Sequence, residues 1–346
     1  MAVPMRVGVL NDMSEGPPAP SDGERWLRLA VDELIEAGRL DRDVEFVHSF
    51  GLGLPSGTAA AVERALVELV EQDVLVVVGP AIGDNALVAT PVAERYRVPT
   101  INWAGSERAR SEYMFHLQVG SHEDESLVLA RHLAAIGASR VGVVHDRSPI
   151  GRRHVDFLLA EAEVLGLAVV ALTSVGPLAE DATAEVDQVL TGGPDGLVYL
   201  GLGLAAPAVA RALTARGWEG PRVMNTAGIR GRDPEFGRVI DGWVYIDMYS
   251  DANTTLAALL AAATDANPMA AAMGYDLGRL LAEGLARAPE RTREGVKDGL
   301  EQVKWLPAAE GYEGTLLGFG NHDRGALHGR YLVLRQWRDG ESVEVE

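Results

Sequence analysis

The chain has 346 residues, of which 47% are hydrophobic, and carries a net charge of −19. That length accommodates two or three domains of about 100 to 200 residues each, and the apolar content is enough for large cores. So acidic a surface repels phosphate backbones and anionic lipid, which argues against nucleic-acid partners and membrane-surface binding, and the absence of cysteine removes disulfides, thiolate metal sites and thiol nucleophiles together.

The first residues, Met1 to Leu10, run almost directly into a strand without a basic segment followed by a long apolar one. No signal peptide is expected from that pattern, so the chain reads as cytoplasmic as given, or extracytoplasmic if a leader has been removed. No apolar run approaches ~18 residues, so no membrane insertion is expected. Strand one is Met5 to Leu10; Ser21 with Glu24 resembles a capping box, opening a helix that closes at Gly38. Strand two is Val44 to His48, and an alanine-rich helix spans about Thr58 to Val70.

The stretch from Val74 to Ser106 organises this half. Val74 to Gly79 is a β-branched run too short for a buried helix, so it reads as a central strand covered on both faces. A loop from Ala81 to Asn85 follows, then a helix with apolar Leu87, Val88, Val92 and Tyr96, a strand from Val98 to Trp103, and a second small-residue loop, Ala104-Gly105-Ser106. In a parallel sheet both loops lie at the carboxyl ends of strands, where open α/β folds bind ligands, and each following helix aims free N–H groups that way.

After a strand from Met114 to Val119, a helix starts at Ser121 to Asp124 and the alternation restarts. Strands are expected at Arg140 to His145, Ala168 to Thr173, Leu197 to Leu200, Arg222 to Asn225 and Trp243 to Met248, with helices near Pro149 to Leu165, Ala182 to Leu190, Pro207 to Arg216 and Pro234 to Val239. Parallel sheets with right-handed crossovers follow from that order. The last third reads as helices at Asn253 to Ala263, Pro268 to Ala288 and Thr292 to Gln302, then a turn at Asp323-Arg324-Gly325 and an edge strand from Tyr331 to Trp337.

Few motifs suggest catalysis. Gly201 to Ala206 matches GxGxxA between a strand and a helix, the context of a dinucleotide fingerprint, but an alanine-rich turn at a strand end explains it as well. An NAD(P)-dependent oxidoreductase using that loop is the alternative reading. Adjacent residues in a strand point to opposite faces, so His145-Asp146 cannot chelate easily, and it and His322-Asp323 read as solvated strand end and turn. Ser106 lacks a G-x-S-x-G elbow and reads as a helix cap, as do Asp84 and Asn85, with ligand contact equally open for that pair. Asn253-Thr254-Thr255 fits a glycosylation sequon but reads as a helix start. Neither a cofactor nor a metal is assigned.

The segments VLVVVGP, VPTINWAGS, SRVGVVHDRSPIGRRHVDFL, DGLVYLGLGLAAPAVARAL and YDLGRLLAEGLARA through the GTLLGFGNHDRGALHGRYLVLRQW tail resemble, in order and spacing, type I periplasmic solute-binding proteins of the branched-chain amino-acid and amide-binding kind. The resemblance covers nearly the whole chain. It implies an α/β fold of two Rossmann-like lobes with parallel sheets joined by a three-segment hinge. The crossings would lie near Gly120, near Tyr249 and near Gly320 to Gly329, giving an N-terminal lobe of residues 1–120 plus 250–322 and a C-terminal lobe of 121–249 plus 323–346.

It further implies a non-catalytic protein that closes on a small ligand for an ABC permease, or reports it to a regulatory protein as a sensor. By position the first-lobe contacts would be Gly83, Asp84, Asn85, Ala104, Gly105 and Ser106, with Ser121 at the first crossing; the second lobe would offer Ile150, Gly203 or Leu204, and Ala227. Trp103, Met13, Phe50 and Tyr249 could line such a site. Amino-acid binders of this family clamp the zwitterion with hydroxyls, tyrosines and an acid, where this chain has Gly83, Ile150, Gly203 or Leu204, and Ala227. An ammonium buried without an acid is costly, so unless Asp84 supplies the charge the expected ligand is neutral, aromatic or amide-like. The effector core of a transcription repressor, which shares this fold, ranks last, because no helix-turn-helix pattern precedes Met5.

Overall fold

Strand β1 (Met5–Asn11) is covered on both faces, with Met5, Val7 and Leu10 buried. The structure, a computed structural model, describes residues 3–17, 22–263 and 265–345; Ser21, and with it the expected capping box, lies outside them. Next come α1 (Asp22–Glu36), β2 (Val44–Phe50), α2 (Ala59–Glu71), β3 (Val76–Val78), α3 (Gly83–Tyr96), β4 (Thr100–Asn102) and β5 (Met114–His116). Among the described residues these strands form a parallel sheet in the order β2-β1-β3-β4-β5.

The uninterrupted valines of β3 are explained by its central place. Val76 and Val78 pack on one side with Leu27 and Val31 of α1, whereas Val77 packs on the other with Leu66 and Leu69 of α2 and Ala86 of α3. Successive side chains point to opposite faces, so a strand covered on both must be apolar throughout.

The chain then builds a second unit from α4 (Asp124–Ala135), β6 (Arg140–Asp146), α5 (Pro149–Leu165), β7 (Ala168–Val175), α6 (Thr183–Thr191), β8 (Gly196–Leu200), α7 (Ala206–Ala215), β9 (Arg222–Met224), α8 (Pro234–Val239) and β10 (Val244–Asp247), with a 3-10 helix, Thr226–Arg232, between β9 and α8. It returns to the first unit for α9 (Thr254–Ala262), α10 (Pro268–Arg287), α11 (Arg293–Glu301) and a small antiparallel sheet of β11 (Leu306–Pro307), β12 (Leu316–Leu317) and β13 (Leu327–His328). Strands β14 (Val333–Arg338) and β15 (Glu341–Glu344) complete the second unit.

By contacts the units are Met1–Val119 with Met248–Tyr331, and Gly120–Asp247 with Leu332–Glu346. Residues 323–331 stay with the first unit because β13 hydrogen-bonds to β12 there and Gly325 bridges to His116. Helix α10 lies so close to α1 that a Cβ on Gly274 or Gly278 would stand 2.3 or 2.5 Å from the carbonyl oxygens of Gly23 and Leu27. Only glycine admits that approach.

Two expectations change. The last strand foreseen, from Tyr331, is no edge: β14 pairs antiparallel with β10 on one side and β15 on the other, in the order β15-β14-β10-β9-β8-β6-β7, so this sheet is mixed rather than parallel. The cause is a two-residue hairpin at Asp339 and Gly340, with φ of 52° and 83°, the left-handed pair such a turn requires. Helix α3 also starts at Gly83, with Ile82 at its N-cap and no capping side chain, so Asp84 and Asn85 are first-turn residues and not caps.

Candidate functional site

In the first unit the loops following β1, β3 and β4 gather at the carboxyl edge of the sheet, and a buried carboxylate ties two of them together. Asp12 accepts hydrogen bonds from the Ala81 amide at 2.9 Å, the Ile82 amide at 3.1 Å and Asn85 Nδ2 at 2.8 Å. Burial raises its pKa while these donors lower it. Asn85 is fully buried and its Oδ1 accepts from the Leu54 amide at 2.9 Å, so the side chain stitches the β2–α2 loop to the start of α3. Gly83 and Asp84 lie beside it, both buried.

Ala104 is buried, and its carbonyl accepts from Nε2 of His116 at 2.5 Å; burial, aided by Arg110, pushes that imidazole down to about 3 and keeps it neutral. Gly105 is half-buried, and the buried Ser106 precedes a 3-10 helix, Glu107–Ala109, that its hydroxyl does not cap, contrary to the expected role. Trp103 is half-buried against the core that holds Ile101 and Phe115. Tyr249 packs with Trp26 and Leu256, Phe50 stacks on His48, and Met13 is exposed.

The second unit has its own strand-end carboxylate. Asp146 ends β6 fully buried, not solvated as its position suggests, and accepts from the Tyr199 hydroxyl, from the Leu202 amide at 2.8 Å and from the Gly203 amide. Burial pushes its pKa up to about 6 and raises that of Tyr199 as well. His145 binds only its own main chain, with Nδ1 2.8 Å from the Asp146 carbonyl. The Gly201 loop is therefore already filled: a Cβ on Gly201 would lie 2.2 Å from the Asp146 carboxyl, and the amides a pyrophosphate would need serve Asp146. The dinucleotide reading is not supported.

Around that loop Gly203 has φ +95° and fits against Ala227, where a Cβ would come within 2.8 Å of the alanine methyl carbon. Ile150, in the first turn of α5, is buried and Leu204 is half-buried. Asn225 holds the end of β9 to the end of β8 through the Gly201 amide and carbonyl, at 3.2 and 2.9 Å, and its Nδ2 meets His154 Nε2 at 3.1 Å. Ser121 begins the unit's first helical region: its Oγ accepts from the Asp124 amide at 3.0 Å, and its own amide donates to Glu125 Oε1 at 2.7 Å. Glu125 Oε2 accepts from the Thr226 amide at 2.6 Å, and burial raises this carboxyl to about 7.

Sequence reasoning passed over Asp12, Glu125 and Tyr199 as site-builders. Asp12 carried a signal, being an acid placed one residue beyond a strand at its carboxyl end. Among the described residues no three His, Asp or Glu side chains gather as a metal site. In each unit a buried strand-end acid accepts from backbone amides of that unit and so fixes the shape of the loops there.

A family model described as periplasmic binding protein matches residues 4–340. The chain belongs to that family. A search of curated proteins returns no match. Solved structures similar to this periplasmic binding protein include a type 1 periplasmic binding protein from Bordetella pertussis Tohama I, 18% identical with TM-score 0.82 over 99% of this chain and 100% of that one. A solute-binding protein of an ABC transporter from R. palustris, in complex with 4-hydroxybenzoate, is 18% identical with TM-score 0.79 over 99% and 96% of the two chains. A leucine binding protein from Thermotoga maritima is 16% identical with TM-score 0.79 over 99% and 98%. Membership gives this periplasmic binding protein a role in binding a small solute.

Proposed function

We propose that this periplasmic binding protein closes its two lobes on one small organic ligand with an aromatic or amide-like body and no ammonium group, and passes it to an ABC-type permease or reports it to a regulatory protein. The match to the family over residues 4–340 carries this reading. The ligand class is supported by how the strand-end acids are used. Asp12 and Asp146 are each engaged by amides of their own unit, and the family resemblance implies an acid in amino-acid binders where this chain has Ala227. A buried ammonium needs a paired carboxylate, so such a site disfavours a zwitterion. The R. palustris neighbour bound to 4-hydroxybenzoate shows that this fold accommodates an aromatic acid. The contacts proposed are Gly83, Asp84, Asn85, Trp103, Ala104, Gly105 and Ser106 from the first lobe, with Ser121, Ile150, Gly203, Leu204 and Ala227 from the second.

The test is a thermal-shift panel of aromatic acids, amides, amino acids and nucleotides, followed by solution scattering with the compound that responds. A ligand at about 100 times its Kd adds roughly 2.7 kcal/mol to stability, and the radius of gyration should fall as the lobes close. Stabilisation by NAD(P) alone, or by zwitterionic amino acids alone, overturns the reading.

A further inference from the structure

Arg230 is a half-buried cation placed at the carboxyl edge of the second unit's sheet, in the 3-10 helix Thr226–Arg232. Its Nε donates to the Leu202 carbonyl at 2.9 Å, so the guanidinium is braced on the same loop whose Leu202 amide binds Asp146. That single bond uses one of the five N–H groups of the side chain and leaves the fork of two terminal amino groups. Among the described residues this fork has no hydrogen-bond acceptor and no ion-pair partner.

The charge of Asp146 acts on Arg230 through space, but the two make no ion pair or hydrogen bond: the oxygens of Asp146 are engaged by the Tyr199 hydroxyl and the Leu202 and Gly203 amides. Arg232, two residues on, shows the contrasting arrangement, with its guanidinium 3.0 Å from the buried Asp247 carboxylate. In a chain with 50 acidic against 31 Lys and Arg residues, a guanidinium taken partly out of water beside a strand-end loop, with a carboxylate near but none bonded to its terminal amino groups among the described residues, stands out. Desolvating a charge costs free energy that an intramolecular partner ordinarily offsets.

We infer that the terminal amino groups of Arg230 receive a carboxylate of the ligand, making this a binding protein for an organic acid and, with the reading above, for an aromatic or other apolar-bodied monocarboxylate. The inference rests on the proposed solute-binding function and names the polar end of its ligand. A planar guanidinium anchored at Nε presents two parallel N–H donors, the geometry that takes a carboxylate in a bidentate pair.

The experiment compares matched pairs by titration calorimetry on the full chain: benzoate with benzamide, 4-hydroxybenzoate with 4-hydroxybenzamide, and isovalerate with isovaleramide. Wild type should bind at least one acid on the order of 10- to 100-fold more tightly than its amide, the range expected for a charge-assisted pair. Arg230→Gln should lose that preference by weakening the acid far more than the amide, and Arg230→Lys should restore part of it; melting curves without ligand show whether each variant is folded. An amide that binds as tightly as its acid, or an acid bound unchanged by a folded R230Q, overturns the inference. Lobe closure by a neutral compound while no acid binds also overturns it and leaves the solute-binding reading intact, whereas NAD(P) as sole ligand removes both.

Discussion

Replacing Glu125 by glutamine should abolish a loss of stability that wild type suffers between pH 5 and pH 8, because this carboxyl is buried where ionisation is unfavourable. Its folded pKa is raised by burial to about 7 from a reference of 4.5, with the Thr226 and Ser121 amides only partly opposing the shift and Asp124 adding to it. Below pH 4.5 both folded and unfolded forms carry the proton, and the group makes no difference. Between pH 4.5 and 7 the folded state holds a proton that the unfolded state has released, so stability falls as pH rises, and above 7 the loss is complete. A displacement from 4.5 to about 7, at about 1.4 kcal/mol per unit, amounts to roughly 3 kcal/mol. Glutamine removes the titration, but its amino group cannot accept from the Ser121 or Thr226 amide as a carboxyl oxygen does, which costs about 1–3 kcal/mol at every pH. Urea unfolding of wild type and E125Q at pH 5 and pH 8 measures the titration: wild type should lose up to about 3 kcal/mol between the two pH values, and the variant, lower at pH 5 for want of one acceptor, should not show that loss. Equal pH dependence in both proteins would refute the assignment of a raised pKa to Glu125.

Three more outcomes follow from the strand-end acids and glycines. Asp12→Ala leaves the Ala81 and Ile82 amides and the Asn85 side chain without their acceptor, which should cost about 3 kcal/mol in thermal or urea unfolding and weaken ligand affinity through the misplaced start of α3. Tyr199→Phe removes the hydroxyl that favours the ionised Asp146, so that carboxyl should rise beyond about 6; its infrared carboxyl band, assigned with Asp146→Asn, should persist to higher pH than in wild type. Gly203→Val places a β-branched side chain at φ +95° with its Cβ 2.8 Å from Ala227, so melting should show destabilisation in buffer alone and NAD(P) should not shift wild type.

The alternation of strand and helix, the all-valine β3 and the Pro and Asn signals that open α5 and α10 are local, and local patterning is what the sequence carries directly. That is why two α/β units, the edge on which their loops gather and the family itself were legible from residue order. The Asp339-Gly340 dipeptide also marks a turn with left-handed backbone, but alternation alone makes β14 look like an edge strand, since it does not show that β15 follows and pairs with it.

The roles of single side chains were decided by contacts between residues far apart in sequence. Asn85 follows helix-start chemistry locally, yet its partners are Asp12 and Leu54; Asp146 looks like a solvated strand end until Tyr199 and the Gly201 loop close over it. Whether a carboxylate caps a helix, braces a loop or meets a ligand depends on which amides reach it and how much water is excluded. Spacing along the chain encodes neither, so the sequence determined the architecture and where its loops converge, and only the tertiary structure decided which polar groups the protein uses up itself and that the Arg230 fork is not among them.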